Sequence, residues 1–151
     1  MLYRLSADRF WRWFLLVGFF LIPLAAPPGR AQTRFYNPIP LTPGTTISDK
    51  LTEKDIPTGQ GGFARDYVLQ VKEGSQLAID LTSDNFDTLV SLLAADGSTI
   101  AENDDGPDGS TNSLLFIRVT RSGTYYIRVR SFGEVADGNF KLKVTLLKAV
   151  Q

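Results

Sequence analysis

The chain has no cysteine and no histidine among its 151 residues. Without cysteine there is no disulfide, no thiol nucleophile and no thiolate metal ligand. No lipid can be attached to a mature N-terminal cysteine either. Without histidine, Ser-His and Cys-His nucleophilic pairs are excluded. Imidazole sites for zinc or copper go with them. The acid–base groups that remain are carboxylates, lysines and tyrosines. Long apolar runs are scarce too. The one present, Trp13 to Ala26, has 14 residues, short of the roughly 20 that span a bilayer.

That run sits in a recognisable frame. Arg4, Arg9 and Arg12 precede or open it, with Asp8 the only acid there. Pro23, Pro27 and Pro28 break any continuous helix. Gly29 and Ala31 occupy the −3 and −1 positions of a cut before Gln32. Residues 1–31 therefore read as a secretory signal peptide. The expected product is secreted or periplasmic, with no stable membrane insertion after cleavage. Cleavage removes four of the 16 basic residues and one of the 16 acids, leaving 12 against 15 and a net charge of −3. That balance argues against nucleic acid, which calls for a basic patch, and against anionic membrane surfaces. The remaining 120 residues are enough to bury about two thirds of their unfolded surface and hold one core without staples.

No helical pattern follows the signal. Residues 32–44 form a Pro-rich leader, with Phe35, Tyr36, Ile39 and Leu41 as anchors on the core. From 45 to 148 the hydrophobic period is two, which marks half-buried strands. Tyr67, Leu69 and Val71 share a face, and so do Leu77, Ile79 and Leu81. Thr88 to Ala94 is apolar on both faces, as in a central strand. Leu115, Ile117 and Val119 alternate, then Tyr125, Ile127 and Val129, then Phe140, Leu142, Val144 and Leu146. Asp96-Gly97 is a hairpin signal and Asp137-Gly138 a second Asp-Gly turn. About eight short strands at this spacing predict an all-β fold, two antiparallel sheets packed as a jelly-roll-like β-sandwich.

Two constellations stand out. The acidic loop places Asn103, Asp104, Asp105 and Asp108 within six positions, with Asp87 as a long-range partner. Hard side-chain oxygens beside a glycine turn are what calcium takes, so calcium is the candidate cofactor. The same residue types also build exposed turns, and the spacing is not that of an EF-hand. Asp87 has a second reading, as an acceptor for backbone N–H groups at a strand entrance. The second constellation is Tyr126, Arg128 and Arg130, on the face opposite Tyr125, Ile127 and Val129. Tyr and Arg are favoured at recognition surfaces, and the same pattern also fits an ordinary solvated sheet face. Asp104 and Asp105 are adjacent on a loop tip, an unfavourable place for a carboxylate pair that must hold a raised pKa. No enzymatic activity is expected.

Several pieces of the chain together resemble the bacterial pre-peptidase C-terminal domain. They are Asp66-Tyr67-Val68-Leu69 with Val71 and Gly74, Phe86-Asp87-Thr88-Leu89-Val90-Ser91-Leu92, Asp96-Gly97, Asn103-Asp104-Asp105, Ser122 to Val129, and Gly138 to Val144. The resemblance runs from about Thr45 to Leu146. It implies a jelly-roll-like sandwich, related to the collagen-binding domains of clostridial collagenases, that serves secreted proteases as a non-catalytic accessory module. It also implies calcium held in part by an acidic segment ahead of the first strand. This chain has no acid between Gln32 and Ser48, and a sandwich without an accompanying protease domain is expected. The expected function is recognition of an extracellular protein or polysaccharide. The alternative is a structural or assembly partner of a separately encoded secreted protease or envelope protein.

Overall fold

The computed structural model describes residues 36–59, 61–133 and 137–147. The expected signal peptide and Phe35 lie outside the described residues. Ten strands are found: β1 (Ile39–Pro40), β2 (Thr46–Leu51), β3 (Ile56–Pro57), β4 (Phe63–Val71), β5 (Gln76–Thr82), β6 (Thr88–Leu93), β7 (Thr99–Asn103), β8 (Ser113–Arg118), β9 (Gly123–Ser131) and β10 (Gly138–Leu147). They form two sheets. The larger runs β1-β4-β9-β6-β7, with β3 also on β4; the smaller runs β2-β10-β5-β8.

The eight expected strands are all present. The two additions, β1 and β3, are two-residue strands that each contain a proline. Proline donates no backbone hydrogen bond, so such segments pair only along an edge and carry no alternation to read. Both lie on the outer edge of β4. β1 pairs with it in parallel, Ile39 opposite Tyr67, and Leu41 N donates to Val68 O at 2.8 Å. The leader is thus bound to the domain from Ile39 onward, with the buried Leu41 as one anchor.

The core lies between the sheets. Tyr67, Leu92, Ile127 and Val129 from the larger sheet meet Leu77, Ile79, Leu81, Leu142 and Val144 from the smaller one, all fully buried. These are the inward positions of the period-two pattern, and their removal from water is the main stabilising term. All six residues of β6 are buried, as its two-faced apolar sequence requires.

Three polar clasps join the sheets. At one end Tyr67 OH on β4 donates to Asp49 Oδ2 on β2 at 2.8 Å. Arg65 bonds both Asp49 and Asp55. Burial pushes the Tyr67 hydroxyl pKa up, and the Asp49 bond adds to this. Asp49 itself is held below the usual carboxylate range: burial pulls it upward, but the Lys50 N–H, the Tyr67 hydroxyl and Arg65 outweigh that. At the other end, the hydroxyls of Thr88 on β6 and Ser113 on β8, both buried, lie 2.6 Å apart, and Ser113 Oγ donates to Thr88 O at 2.9 Å. The third clasp is Asn103, at the end of β7, whose amide reaches the start of β8.

Candidate functional site

The outer face of the larger sheet is set by its register. Asp66 on β4 lies opposite Arg128 on β9, Arg128 opposite Ser91 on β6, and Ser91 opposite Glu102 on β7. Flanking rows are Ala64, Arg130 and Leu89 on one side and Val68, Tyr126 and Leu93 on the other. The sequence-predicted trio Tyr126, Arg128 and Arg130 is therefore brought together on one strand face.

The three residues are not equivalent. Arg128 Nε and Nη2 donate to both oxygens of Asp66 at 2.8 and 2.7 Å. Asp66 is only 3% exposed and also accepts from Tyr36 OH at 2.5 Å. A forked guanidinium–carboxylate pair of this kind is strong and geometrically specific. Arg128 is accordingly committed to the fold. Burial, then the Asp66 bond, raises the Tyr36 hydroxyl well above the usual phenol range. The Tyr36 ring lies against that of Tyr126, centroids 5.8 Å apart and tilted by 60°. Arg130 Nη2 lies 3.6 Å from Glu102 Oε2. Glu102 also accepts from Ser91 Oγ at 3.3 Å.

Beside this row the face is hollow. A concavity of about 300 Å³ lies over Ala64, Ser91 and Leu93, between Ile56-Pro57-Thr58 and the Arg128, Arg130 and Glu102 side chains. A second, of about 410 Å³, continues past Leu89 towards Phe132 and shares Thr58, Glu102 and Arg130 with the first. Together they make a groove over Ala64, Leu89, Ser91 and Leu93 with a largely polar lining and a charged wall. Tyr36, expected as an anchor of the leader, belongs to this site; Asp66, Ser91, Glu102 and the 56–58 wall belong to it too and were not singled out from sequence. Only the cross-strand register, with Asp66 and Arg128 62 positions apart, reveals them.

The acidic loop folds as a connection between the sheets. Asn103 Nδ2 donates to Asp105 O and to Leu114 O, both at 2.8 Å. Asn103 Oδ1 accepts from Asp105 N at 3.3 Å. Asp108 Oδ1 accepts from Ser110 Oγ at 2.6 Å and Ser110 N at 3.1 Å. These bonds hold its pKa below the usual carboxylate range, the hydroxyl contributing most. Asp87 stands at the entrance to β6, as expected, but there its backbone carbonyl accepts from Phe132 N at 2.8 Å. The neighbouring Thr88 is the residue whose side chain ties this corner together, through Thr111 O and Ser113. Calcium takes six to eight oxygens. Among the described residues no three acidic side chains gather into a group that could hold a metal. Asn103 Oδ1 and Asp108 Oδ1 already face N–H and O–H donors. The residues present do not fit a calcium cage.

That fit has a direct test in thermal melting with millimolar calcium and then with chelator. The two melting temperatures should coincide to within about 1 °C. A cation at 100 times its Kd would add about 2.7 kcal/mol, a rise on the order of 10 °C for a domain of this size. Such a rise, abolished by Asp104→Ala with Asp105→Ala, would restore the metal site.

The fold and the site define a two-sheet β-sandwich with a hollowed outer face. Residues 64–131, from β4 to the end of β9, match the family model of the bacterial pre-peptidase C-terminal domain, a non-catalytic accessory family. The resemblance read from the sequence stands on that match. The Gly138–Val144 piece, which forms most of β10, falls beyond it. Among solved structures, the chain is similar to the pre-peptidase C-terminal domain of a collagenase from Bacillus anthracis, with 16% identity over 72% of this chain and 95% of that one and a TM-score of 0.55. It is similar to a comparable degree to a periplasmic inhibitor of g-type lysozyme from Aeromonas hydrophila, with 17% identity, the same coverage of both chains and a TM-score of 0.53. At these identities the likeness is one of fold. No curated protein sequence matches the chain.

Proposed function

We propose that this chain is an exported, non-catalytic binding module, secreted or periplasmic, that recognises a protein through the outer face of its larger sheet. The observation that carries this reading is the groove beside Arg130. It is already formed, with Ala64, Leu89, Ser91 and Leu93 beneath it, and its wall carries Arg130 and Glu102, whose charged groups lie 3.6 Å apart. The exposed Tyr36 and the half-buried Tyr126 extend it at one end. Pre-formed concavity, tyrosine and arginine are the features that concentrate binding energy at interfaces. Arg128 contributes by holding the face rigid, since both of its forked bonds go to Asp66.

The protein immobilised on a surface provides the test, with purified g-type lysozyme, collagen and the secreted proteins of the source culture as probes. Tyr126→Ala combined with Arg130→Glu should weaken capture at least tenfold, equivalent to about 1.4 kcal/mol. The melting temperature should stay within a few degrees. Undiminished capture by the double variant would overturn this assignment of the binding face. A single captured protein that is a protease or envelope component would identify the module as an assembly partner.

A further inference from the structure

The smaller sheet ends on β8, its outermost strand, and the groove reading makes no use of it. Antiparallel strands alternate between residues that bond the neighbour and residues that face away from it. Val119 N donates to Ser75 O at 2.8 Å, so the odd-numbered residues of β8 bond towards β5. Leu114, Phe116 and Arg118 therefore turn their N–H and C=O groups to the free edge. Those of Leu114 are already taken: its N–H donates to Asp105 O at 3.2 Å, and its C=O accepts from the Asn103 amide at 2.8 Å. The acidic loop covers the edge that far and no farther. Among the described residues, nothing bonds the edge-facing backbone groups of Phe116 or Arg118. The side chains of this open window are equally unpartnered. On the outer face of the sheet, Phe116 and Arg118 stand beside Ala78 and Gln76 of β5. Phe116 is 63% exposed, more than any other large hydrophobic side chain among the described residues. Arg118 is exposed, and among the described residues no ion pair or hydrogen bond engages its guanidinium. A hollow of about 220 Å³ lies between Phe116, Arg118, Gln76 and Leu147, with no acidic side chain in its lining. Edge strands are normally blunted by polar side chains, as β2 is at the other edge of this sheet, with Thr46, Ser48 and Lys50. β8 instead presents an aromatic ring.

We infer that this window pairs with the same window of a second copy of the chain, β8 against β8, antiparallel about a two-fold axis at Ile117. In that register Phe116 faces Arg118 of the second copy, and Arg118 faces its Phe116. Each is a hydrogen-bonded pair that exchanges both N–H···O bonds, so every open backbone group of both windows is used. The same pairing sets each guanidinium beside the exposed ring of the other copy, a cation–π contact. It also brings each Phe116 alongside the hollow between Arg118 and Leu147 of the other copy. β8 ends at Arg118, so the ladder of the second copy does not need the position that Asp105 O holds at Leu114. One surface thus supplies both halves of an isologous contact. Two observations select a second copy over an extended foreign peptide. The window carries an aromatic and a cation at the spacing where antiparallel self-pairing matches each to the other. It is also too short to reward the ordering of a flexible strand, whereas β8 of a second copy is already fixed by its own β5.

Sedimentation equilibrium of the full secreted chain tests this, at loadings from micromolar to millimolar. The parent should show a reversible monomer–dimer equilibrium. Phe116→Lys sets a like charge against Arg118 of the second copy and should weaken the dimer at least tenfold. Phe116→Glu sets an opposite charge against the same arginine, so the dimer should persist and become sensitive to salt as screening rises. Adding Arg118→Glu to Phe116→Glu should then abolish it. The melting temperature of the dilute protein should not change in any of these variants, because both side chains are exposed. Tyr126→Ala with Arg130→Glu, on the other sheet, should leave the dimer intact. A chain that stays monomeric at millimolar concentration overturns the inference, and so does a dimer that survives Phe116→Lys. Equal loss in Phe116→Lys and Phe116→Glu would overturn the cross-strand pairing in favour of an unspecific apolar contact. A monomeric chain that captures a foreign protein only while Phe116 is intact would give the edge to an extended segment of that protein instead. None of these outcomes touches the groove on the larger sheet.

Discussion

Asp66→Ala should destabilise the domain by about 2–4 kcal/mol, a fall in melting temperature of roughly 10–20 °C. Asp66 is a carboxylate on the outer face of a sheet, a position that normally meets water. Here it is buried, both oxygens bond Arg128, and one also accepts from Tyr36. Truncating it leaves the Arg128 guanidinium and the Tyr36 phenol without their shared acceptor. Breaking a buried pair from one side costs about 3–5 kcal/mol. The figure is lowered because the Arg128 side chain is 34% exposed and regains some water. Two further variants separate the contributions. Asp66→Leu with Arg128→Met removes both charges and should be less harmful than Asp66→Ala alone. Tyr36→Phe removes one bond and should cost about 1 kcal/mol. In Asp66→Ala the leader also loses its tie, so cleavage ahead of β1 by a nonspecific protease should accelerate. A loss below about 1 kcal/mol by chemical denaturation would show that the row is held by packing alone.

That network also shows where sequence reading stops. The strand Phe63–Val71 was legible to the residue, because Tyr67, Leu69 and Val71 alternate with polar neighbours. The same alternation assigns Asp66 to solvent. Its burial arises from three distant events: the β4–β9 register, the return of β6 on the far side of β9, and the docking of a Pro-rich leader that carries Tyr36. None leaves a local signal. The reverse holds for Thr88–Leu93, whose run without alternation announced a strand covered on both faces. The acidic loop was ambiguous for a chemical reason. Asn, Asp and Gly are the residues of calcium loops and of plain turns alike. What distinguishes them is the direction of the Asn103 amide, and it points to Leu114 O, eleven residues onward. Tyr126, Arg128 and Arg130 were correctly placed together by period two. That Arg128 is paired with a buried carboxylate depends on the partner strand.

The second large effect is expected at Gly138→Ala, a loss of about 3–5 kcal/mol and a drop in melting temperature of roughly 15 °C or more. Asp137-Gly138 looked like a hairpin turn, where glycine serves only to reach positive φ. The structure gives this glycine a second constraint. Its φ is +155°, a region that side chains rarely occupy. A Cβ there would also lie 2.3 Å from Asn85 Cβ and 3.0 Å from its Cγ and Oδ1. Asn85 cannot simply withdraw. Its Oδ1 accepts from Asn139 N at 2.8 Å, its own N–H donates to Ser83 Oγ at 3.0 Å, and Ser83 Oγ donates to Asn139 O at 2.8 Å. This closed ring of bonds fixes the loop before β6 to the start of β10, where Gly138 pairs with the fully buried Leu51. Overpacking adds about 1–3 kcal/mol and the backbone strain about 1–3 more. Asn85→Gly in the Gly138→Ala background removes the collision but not the strain, so it should recover about half of the loss. A single variant that melts within 2 °C of the parent would mean that the loop and β10 separate freely.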